Sequence, residues 1–249
     1  MSYDLLARYY DLENAEFDAD LDFWLGLAEA ADGPVLELGC GTGRVLLPLA
    51  HAGFAVTGVD NAPAMLDRLR ARLRAAALDP APHVLQADLG DFEVQAPFGL
   101  AIAPFNTFMH LLTLDDQVRV LTHVRGALRP GAVLALDVVN AGAAYASVEG
   151  GLHLERTFVH GDRTVQQFSI LTIDRAAQRA EILYLYDSVG AGGALQRLTV
   201  PITLRYVFPG EMRLLLERCG FALKHLHGDY DLSPFDDDSP RMLVVAEAV

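Results

Sequence analysis

The feature that most constrains this chain is an apolar strand that runs into a helix through closely spaced glycines. The glycines are Gly39, Gly41 and Gly43, and they follow the apolar run Val35–Leu38. Glycine lets the main chain adopt positive φ and lets a ligand approach without a Cβ in its way. Free N–H groups at the start of the following helix favour an anionic group. The pattern predicts a buried parallel strand followed by a ligand-binding turn.

The spacing of these glycines argues against a dinucleotide site. The dinucleotide-binding fingerprint G-x-G-x-x-G has its third glycine three residues after the second, and here Arg44 stands at that position. A second apolar run, 55–59, ends at Asp60, whose carboxylate can accept both hydroxyls of a ribose or can instead cap the next helix. A third run ends near Asp88, which either accepts an adenine amine or is a solvated turn residue.

Three segments, in this order, resemble the class I S-adenosylmethionine-dependent methyltransferases. They are Glu-Leu-Gly-Cys-Gly-Thr-Gly at 37–43, Gly-Val-Asp-Asn-Ala-Pro-Ala-Met-Leu at 58–66 and Gln-Ala-Asp-Leu at 86–89. The resemblance implies S-adenosyl-L-methionine as the methyl donor and S-adenosyl-L-homocysteine as the product. Its branch with an inserted antiparallel sheet implies a small-molecule acceptor, methylated at nitrogen or oxygen by direct displacement.

The resemblance also implies which residues bind the donor. It places the methionine end at Glu37, Gly39 and Gly41, the ribose at Asp60, the adenine face at Met65 and the adenine amine at Asp88. The complete set of donor-binding residues that we expect is Tyr10, Arg8, Glu37, Gly39, Cys40, Gly41, Asp60, Asn61, Met65, Asp88, Leu89 and Phe105.

The charge of the chain bears on the acceptor. The net charge is −14, whereas a protein that meets nucleic-acid phosphates usually presents a basic surface. One local concentration of arginines follows Pro63, and we interpret these residues as a solvated helix surface: Arg68, Arg70, Arg72 and Arg74. The acidity favours a small-molecule acceptor over RNA or protein. A non-catalytic module that senses the donor or its product remains an alternative.

Other features of the composition exclude several classes. No apolar run reaches the roughly 18 residues that a membrane-spanning helix needs, and the first residues lack the basic region of a signal peptide, so we expect a cytoplasmic protein with no membrane partner. Cys40 and Cys219 are the two cysteines, and we interpret each as a small buried residue. No metal site or disulfide framework is expected.

The order of elements predicts an α/β fold. A helix from about 18 to 31 precedes strands near 34–38, 54–59, 82–86, 98–103 and 132–138, and a helix begins at Asp115. The expected fold class is a Rossmann-like, doubly wound, seven-stranded sheet whose last strand is antiparallel, because a late helix, strand, loop and strand resemble the end of the family's sheet.

The middle of the chain interrupts this alternation. Strand-like runs at 164–173, 181–189 and 198–208 predict an inserted antiparallel sheet of three or four strands near the carboxyl ends of the parallel strands. We therefore expect a helical lid at 1–32 and a donor-binding domain at 33–140 and 209–249. The insertion at 141–208 would serve as a substrate lid or as the contact of a homodimer.

Three segments could supply side chains to the reaction. The loop 104–111 carries Asn106 and His110, and His110 is the candidate general base, with packing against the following helix as the alternative. The amino-terminal segment carries Tyr3 and Tyr10 seven residues apart, and it resembles a helix that closes over the donor in part of the family. Tyr10 and Arg8 would then approach the methionine carboxylate, with packing of the helix as the alternative.

Two further features leave questions for the structure. The acidic segment 229–231 would attract a cationic acceptor if it faced the cleft, and would be a solvated hairpin if it faced away. Gly99 stands where the family usually has an acidic residue, a difference that we assign to the start of the strand rather than to catalysis.

The choice of ligand can be tested by calorimetry. We expect S-adenosylhomocysteine to bind the protein and NAD to give no binding heat, because Arg44 stands where a dinucleotide site needs glycine. Binding of NAD alone would contradict the donor assignment.

Overall fold

The computed structural model describes residues 2–95, 97–147 and 149–249. The helices in these ranges are α1 (Ser2–Leu6), α2 (Tyr10–Glu13), α3 (Leu21–Ala30), α4 (Leu46–His51), α5 (Pro63–Ala76), α6 (Leu114–Ala127), α7 (Ala141–Ala146) and α8 (Pro209–Arg218), with a 3-10 helix at Thr107–His110. The strands are β1 (Val35–Leu38), β2 (Val56–Asp60), β3 (His83–Gln86), β4 (Phe98–Ala103), β5 (Leu128–Val139), β6 (His153–His160), β7 (Arg163–Asp174), β8 (Arg179–Val189), β9 (Leu195–Arg205), β10 (Phe221–His227) and β11 (Arg241–Ala248).

The larger sheet has seven strands in the order β10-β11-β5-β4-β1-β2-β3. Strand β1 lies between β2 and β4 and is parallel to both, with Val35 opposite Val56 on one side and Leu100 on the other. Strand β11, the last in the chain, is antiparallel to both of its neighbours, β5 and β10. The predicted doubly wound sheet with an antiparallel last strand is confirmed.

Helices cover both faces of this sheet. Residues of α3, α4 and α5 form one apolar cluster with β1, which includes Trp24, Leu46 and Leu69. Residues of α6 and α8 form a second cluster on the other face, which includes Leu121 and Leu216. Because the central strands are covered on both faces, every residue of β1 and β4 is buried, as parallel strands require.

Several boundaries differ from those that the sequence predicts. Helix α6 begins one residue before Asp115, and Thr113 caps it by accepting a hydrogen bond at 3.1 Å from the N–H of Asp116. Strand β5 begins at Leu128, directly after α6, and passes through Gly131 at a φ of 78°. The amino-terminal segment is not one helix, since a turn at Ala7 separates α1 from α2.

The inserted sheet has four antiparallel strands in the order β6-β7-β8-β9. The sequence runs had indicated β7, β8 and β9, whereas β6 lies at an edge and most of its residues are exposed, so it lacks a clear apolar alternation. One face of this sheet packs against the amino-terminal segment through a shared apolar cluster, with members such as Leu6, Tyr9, Tyr186 and Val200.

Neither cysteine forms a disulfide bond within the described residues. Cys40 and Cys219 are both buried and unbonded, and Cys219 Sγ lies 3.8 Å from the carbonyl oxygen of Val118. In the same described ranges, no group of histidine, cysteine and acidic side chains could hold a metal ion, and no helix is long and apolar enough to cross a membrane.

The glycine at the start of β4 has a packing reason. A Cβ built on Gly99 would lie 2.2 Å from the carbonyl oxygen of Asp32, which is main chain and cannot move aside easily. The structure therefore supports the assignment of this difference from the family to the start of the strand.

We expect Gly99→Ala to lower the free energy of unfolding by about 1–3 kcal/mol, because the added methyl group forces the main chain of Asp32 to shift. Gly26→Ala is the matched control: Gly26 lies in the exposed part of α3, and a Cβ there meets nothing within 4 Å. The control should raise stability by about 1 kcal/mol through helix propensity. Urea denaturation measures both, and equal effects of the two changes would contradict this explanation.

Candidate functional site

A cavity of about 460 Å³ lies at the carboxyl ends of the central strands. All of the expected donor-binding residues except Arg8 and Asp88 line it, namely Tyr10, Glu37, Gly39, Cys40, Gly41, Asp60, Asn61, Met65, Leu89 and Phe105. Pro201, Ile202 and Thr203 of β9 also line this cavity, which we call the first cavity. The inserted sheet therefore borders the ligand-binding edge of the larger sheet, as the sequence predicts.

The glycine turn forms the floor of the first cavity. Gly39 has a φ of 68°, and a Cβ there would lie 2.6 Å from the side chain of Thr107. Gly41 has a φ of 52°, and a Cβ there would meet only the carbonyl oxygen of Gly39, at 4.0 Å. The first glycine is required by close packing, and the second leaves bare main chain beside open space.

Asp60 ties β2 to the glycine turn. Its carboxylate accepts hydrogen bonds of 2.8 Å from the N–H groups of Gly41 and Ala62. Burial raises the pKa of this carboxyl, and the hydrogen bonds from main-chain N–H groups oppose that shift. Both carboxylate oxygens keep a further lone pair, so the side chain can fix the turn and still accept hydroxyl groups of a ligand.

Glu37 is the most informative polar group in the first cavity. The residue is 3% exposed, and its Oε2 atom is buried without a hydrogen-bond partner in the described part of the chain. Burial raises the pKa of the carboxyl well above its usual range, and the nearby Arg44 guanidinium opposes this. A buried acceptor without a partner is costly, so the position suits a ligand that donates a hydrogen bond, such as an ammonium group.

Arg44 provides the positive charge in the first cavity that we had expected from Arg8. Its guanidinium donates two hydrogen bonds, of 2.6 and 2.7 Å, to the fully buried carboxylate of Asp20. It also lies 5.0 and 5.1 Å from the ring centroids of Phe17 and Phe105. From the sequence alone, Arg44 serves only as evidence against a dinucleotide site.

The structure places Arg8 outside the first cavity. Helix α1 ends at Leu6, and the following turn leaves Arg8 exposed, with its guanidinium 5.3 Å from the ring centroid of Tyr9.

Asp88 also lies elsewhere. Its carboxylate accepts hydrogen bonds from the N–H of Gly90 at 2.9 Å and from Arg119 at 3.0 Å, which together lower its pKa. The side chain is 55% exposed, and the neighbouring Leu89 lines the first cavity in its place. The structure favours the alternative of a turn aspartate.

A second cavity of about 210 Å³ adjoins the first. The two share a set of lining residues, which we call the junction: Tyr3, Tyr10, Phe105, His110 and Ile202. At the junction the Tyr3 hydroxyl and His110 Nε2 are hydrogen bonded at 2.8 Å. This contact joins the amino-terminal segment to the loop after β4.

The titration properties of the junction follow from its removal from bulk water. Desolvation lowers the pKa of His110 to about 4 and raises the pKa of Tyr10 to about 12. It also raises the pKa of Tyr3 well above its usual value. All three side chains are therefore neutral at neutral pH.

Asn106 has a structural role that differs from the expected catalytic one. It has a φ of 66°, and its Oδ1 accepts a hydrogen bond of 2.8 Å from the N–H of Val139. It lines the second cavity and not the first. Its side chain thus fastens the loop after β4 to the end of β5.

The acidic segment after β10 faces neither cavity. Asp229 and Asp231 accept hydrogen bonds from nearby main-chain N–H groups, of Tyr230 and Ser233, and line neither space. The Tyr230 hydroxyl donates to the buried Asp137 at 2.8 Å. This is the arrangement of a structural loop.

The arginines after Pro63 are surface residues that also fasten the amino-terminal segment. Arg68 and Arg72 form ion pairs of 3.2 and 3.1 Å with Asp11, while Arg70 pairs with Asp67 on the same helix. Each of these three arginine side chains is about 40% exposed. The predicted solvated surface is thus partly used to hold α2 against α5.

Comparisons with known proteins agree with this site. Residues 35–131 match the family of methyltransferase domains. The cypemycin N-terminal methyltransferase of a Streptomyces species is 29% identical over 242 residues, which cover 96% of this chain and 94% of that protein. The CcbJ methyltransferase of Streptomyces caelestis is 27% identical, covers 100% of this chain and 98% of its own, and has a TM-score of 0.84.

A donor-bound structure shares the fold. It is the amino pentose methyltransferase CalS10 of Micromonospora echinaspora bound to S-adenosylmethionine, 21% identical, with a TM-score of 0.76 and coverage of 96% of this chain and 95% of that one. Fold, cavity and matches together support the expectation of a class I methyltransferase. The ligand of the CalS10 structure is the methyl donor that the sequence of this chain predicts.

We expect Asp60→Ala to weaken binding of S-adenosylhomocysteine by about 1–3 kcal/mol, because the change removes the carboxylate that we expect to accept the ribose hydroxyls and releases the N–H of Gly41. Asp88→Ala is the matched control, since that carboxylate lies outside the first cavity, and it should change binding by less than about 0.5 kcal/mol. Calorimetry measures both. An equal loss in the two variants would show that Asp88 contacts the ligand after all.

Proposed function

We propose that this methyltransferase transfers its methyl group to a nitrogen atom of a small-molecule amine at the junction of the two cavities. The observation that carries this proposal is the hydrogen-bonded, desolvated Tyr3–His110 pair at the junction, which leaves no described junction residue as a base near neutral pH. When bound, S-adenosylmethionine supplies a methyl group on a sulfonium, and neutral S-adenosylhomocysteine is the leaving group.

Residues of the first cavity would hold the two ends of the donor. Glu37 Oε2 offers an acceptor to the ammonium of the methionine end, and Arg44 offers a guanidinium to its carboxylate. Asp60 offers lone pairs to the ribose hydroxyls, and Met65 and Leu89 offer apolar surface to the adenine. These assignments agree with the charge at each position of the first cavity.

The junction favours nitrogen over oxygen as the acceptor atom. A hydroxyl group must lose its proton as its oxygen is methylated, and this requires a base with a pKa near the working pH. His110, with a pKa of about 4, is too weak a base for that task, and Tyr3 and Tyr10 stay protonated. An amine that arrives neutral already carries a free lone pair and needs no base before the attack.

We assign His110 and Tyr3 to positioning rather than to proton removal before the attack. Their hydrogen-bonded pair can exchange hydrogen bonds with an N–H group of the acceptor, which would direct its lone pair toward the first cavity. After transfer, the proton of the methylated ammonium would pass to solvent. In this proposal His110 is a neutral hydrogen-bond acceptor rather than the general base that the sequence suggests.

Other observations support an amine acceptor. The net charge of −14 favours cationic molecules over nucleic acids, and the names of two relatives specify an amino terminus and an amino pentose. Methylation of RNA or protein is the alternative that the acidity disfavours. A non-catalytic sensor of the donor would bind S-adenosylhomocysteine yet release none with any acceptor.

A panel of amines, phenols and carboxylates, assayed for release of S-adenosylhomocysteine, tests the acceptor class. We expect turnover with amines only. In His110→Ala, kcat/KM should fall by about 100-fold because the acceptor loses its orientation, while the Kd of S-adenosylhomocysteine stays within about twofold. Turnover of phenols but not amines would overturn the proposal, and binding without turnover by any of the compounds would favour the sensor.

The pH dependence distinguishes the two roles of His110. With an accepted amine, kcat/KM should rise with pH up to the pKa of that amine, and this limb should move when an amine of different pKa is used. The His110 ring protons, followed by NMR, should titrate near pH 4, because desolvation disfavours the charged imidazolium. Titration near 6.5 together with a limb that stays fixed would restore His110 as the general base.

A further inference from the structure

The second cavity contains two buried oxygen atoms that have no partner. They are Glu13 Oε1 and Gln167 Oε1, and neither takes part in a hydrogen bond within the described residues. Gln167 is 4% exposed, and its Nε2 already donates to the Tyr186 hydroxyl at 3.0 Å. Both of these unpaired oxygen atoms can accept a hydrogen bond from a ligand.

The elements around the second cavity fix these side chains from two sides. Glu13 ends α2, and the guanidinium of Arg156, on β6, donates a hydrogen bond to its main-chain carbonyl oxygen. Gln167 lies on β7 beside Tyr186 of β8. The Tyr186 hydroxyl interacts with the Glu13 carboxylate, so that the two acceptors belong to one connected group.

Leaving such acceptors unpaired costs free energy, and a ligand that supplies donors would remove that cost. We propose that Glu13 and Gln167 form a subsite that accepts a hydrogen bond from the molecule to be methylated. The group that donates this hydrogen bond is a hydroxyl or a second amine, remote from the nitrogen that is methylated. We call it the hydrogen-bond subsite. It depends on the proposed methylation at the junction, because the reacting nitrogen must lie there.

The size of the second cavity limits the acceptor. Its 210 Å³ is below the roughly 300–1,000 Å³ of sites for drug-sized ligands, so the part that enters is about one small ring. The ring would lie among aromatic side chains of the cavity, Tyr10, Phe105 and Tyr184. The reacting nitrogen would then be at the junction and the donor group would be across the ring from it.

The subsite is expected to favour molecules that carry a hydroxyl over analogues that lack one. A site built to bind a hydroxyl rejects an analogue that lacks it, because the buried acceptor is then left without a partner. Three matched amines therefore serve as probes: trans-4-aminocyclohexanol, trans-4-methoxycyclohexylamine and cyclohexylamine. The first has the donor, the second replaces it with an acceptor alone, and the third has neither.

The experiment is calorimetry of the amines with the full-length protein saturated with S-adenosylhomocysteine. We expect the aminocyclohexanol to bind about tenfold or more tightly than the methoxy compound or cyclohexylamine. In Glu13→Gln, which keeps the shape but removes the charge and one acceptor, this ratio should fall to about threefold or less. Glu16→Gln is the matched control, because Glu16 is exposed and lines neither cavity, and it should keep the wild-type ratio.

The outcomes separate this subsite from the proposed function. Three results would overturn the hydrogen-bond subsite. The wild-type protein could bind none of the three amines, it could show no preference for the hydroxyl compound, or Glu13→Gln could keep the wild-type ratio. Unchanged affinity of Glu13→Gln for S-adenosylhomocysteine shows that the variant is folded. If the variant does not fold, the preference of the wild-type protein among the three amines alone tests the subsite. Failure of the proposed function instead appears as absence of methyl transfer to every amine of the larger panel.

Discussion

The loop after β4 is the element on which both cavities depend, and it is held in a conformation that its own residues disfavour. Phe105 and Asn106 have φ values of 53° and 66°, a region that side chains other than glycine rarely adopt. The buried Asp137 compensates, since its carboxylate accepts the N–H of Phe105 at 2.8 Å and its carbonyl oxygen accepts the N–H of Asn106 at 2.9 Å. The strained backbone turns Phe105 and His110 toward the junction.

Two buried ion pairs extend this constraint across the site. Asp137 pairs with Arg241 at 2.5 Å and Asp20 pairs with Arg44 at 2.6 Å, with both carboxylates fully buried. Both guanidiniums also lie within 6 Å of the ring centroid of Phe105. Because removal of one partner would leave an uncompensated buried charge, the position of Arg44 in the first cavity is coupled to β11 through Phe105.

The sequence predicted those parts of the protein that depend on short-range pattern. The apolar runs gave the parallel strands, and the glycine turn with Asp60 gave most of the first cavity, because these residues lie at the ends of consecutive strands. The prediction failed where a partner is distant in the chain. Arg44 meets Asp20 on another element, Tyr3 meets His110 across 107 positions, and a turn after α1 directs Arg8 outward.

The two cavities differ in how they are built, and this difference bears on specificity. The first is made mainly of segments that follow β1, β2 and β4, so its shape is inherent in the larger sheet. The second is made where α1 and α2 meet the inserted sheet beside the loop after β4, and neither these helices nor the inserted strands take part in the pairing of the larger sheet. Substitutions at Glu13 or Gln167 can therefore alter which molecule is accepted without disturbing the glycine turn. The junction is the place where the two requirements meet, because Tyr3, Tyr10 and His110 border both spaces. The junction therefore sets how the methyl acceptor is presented, while the residues around the glycine turn hold the methyl donor.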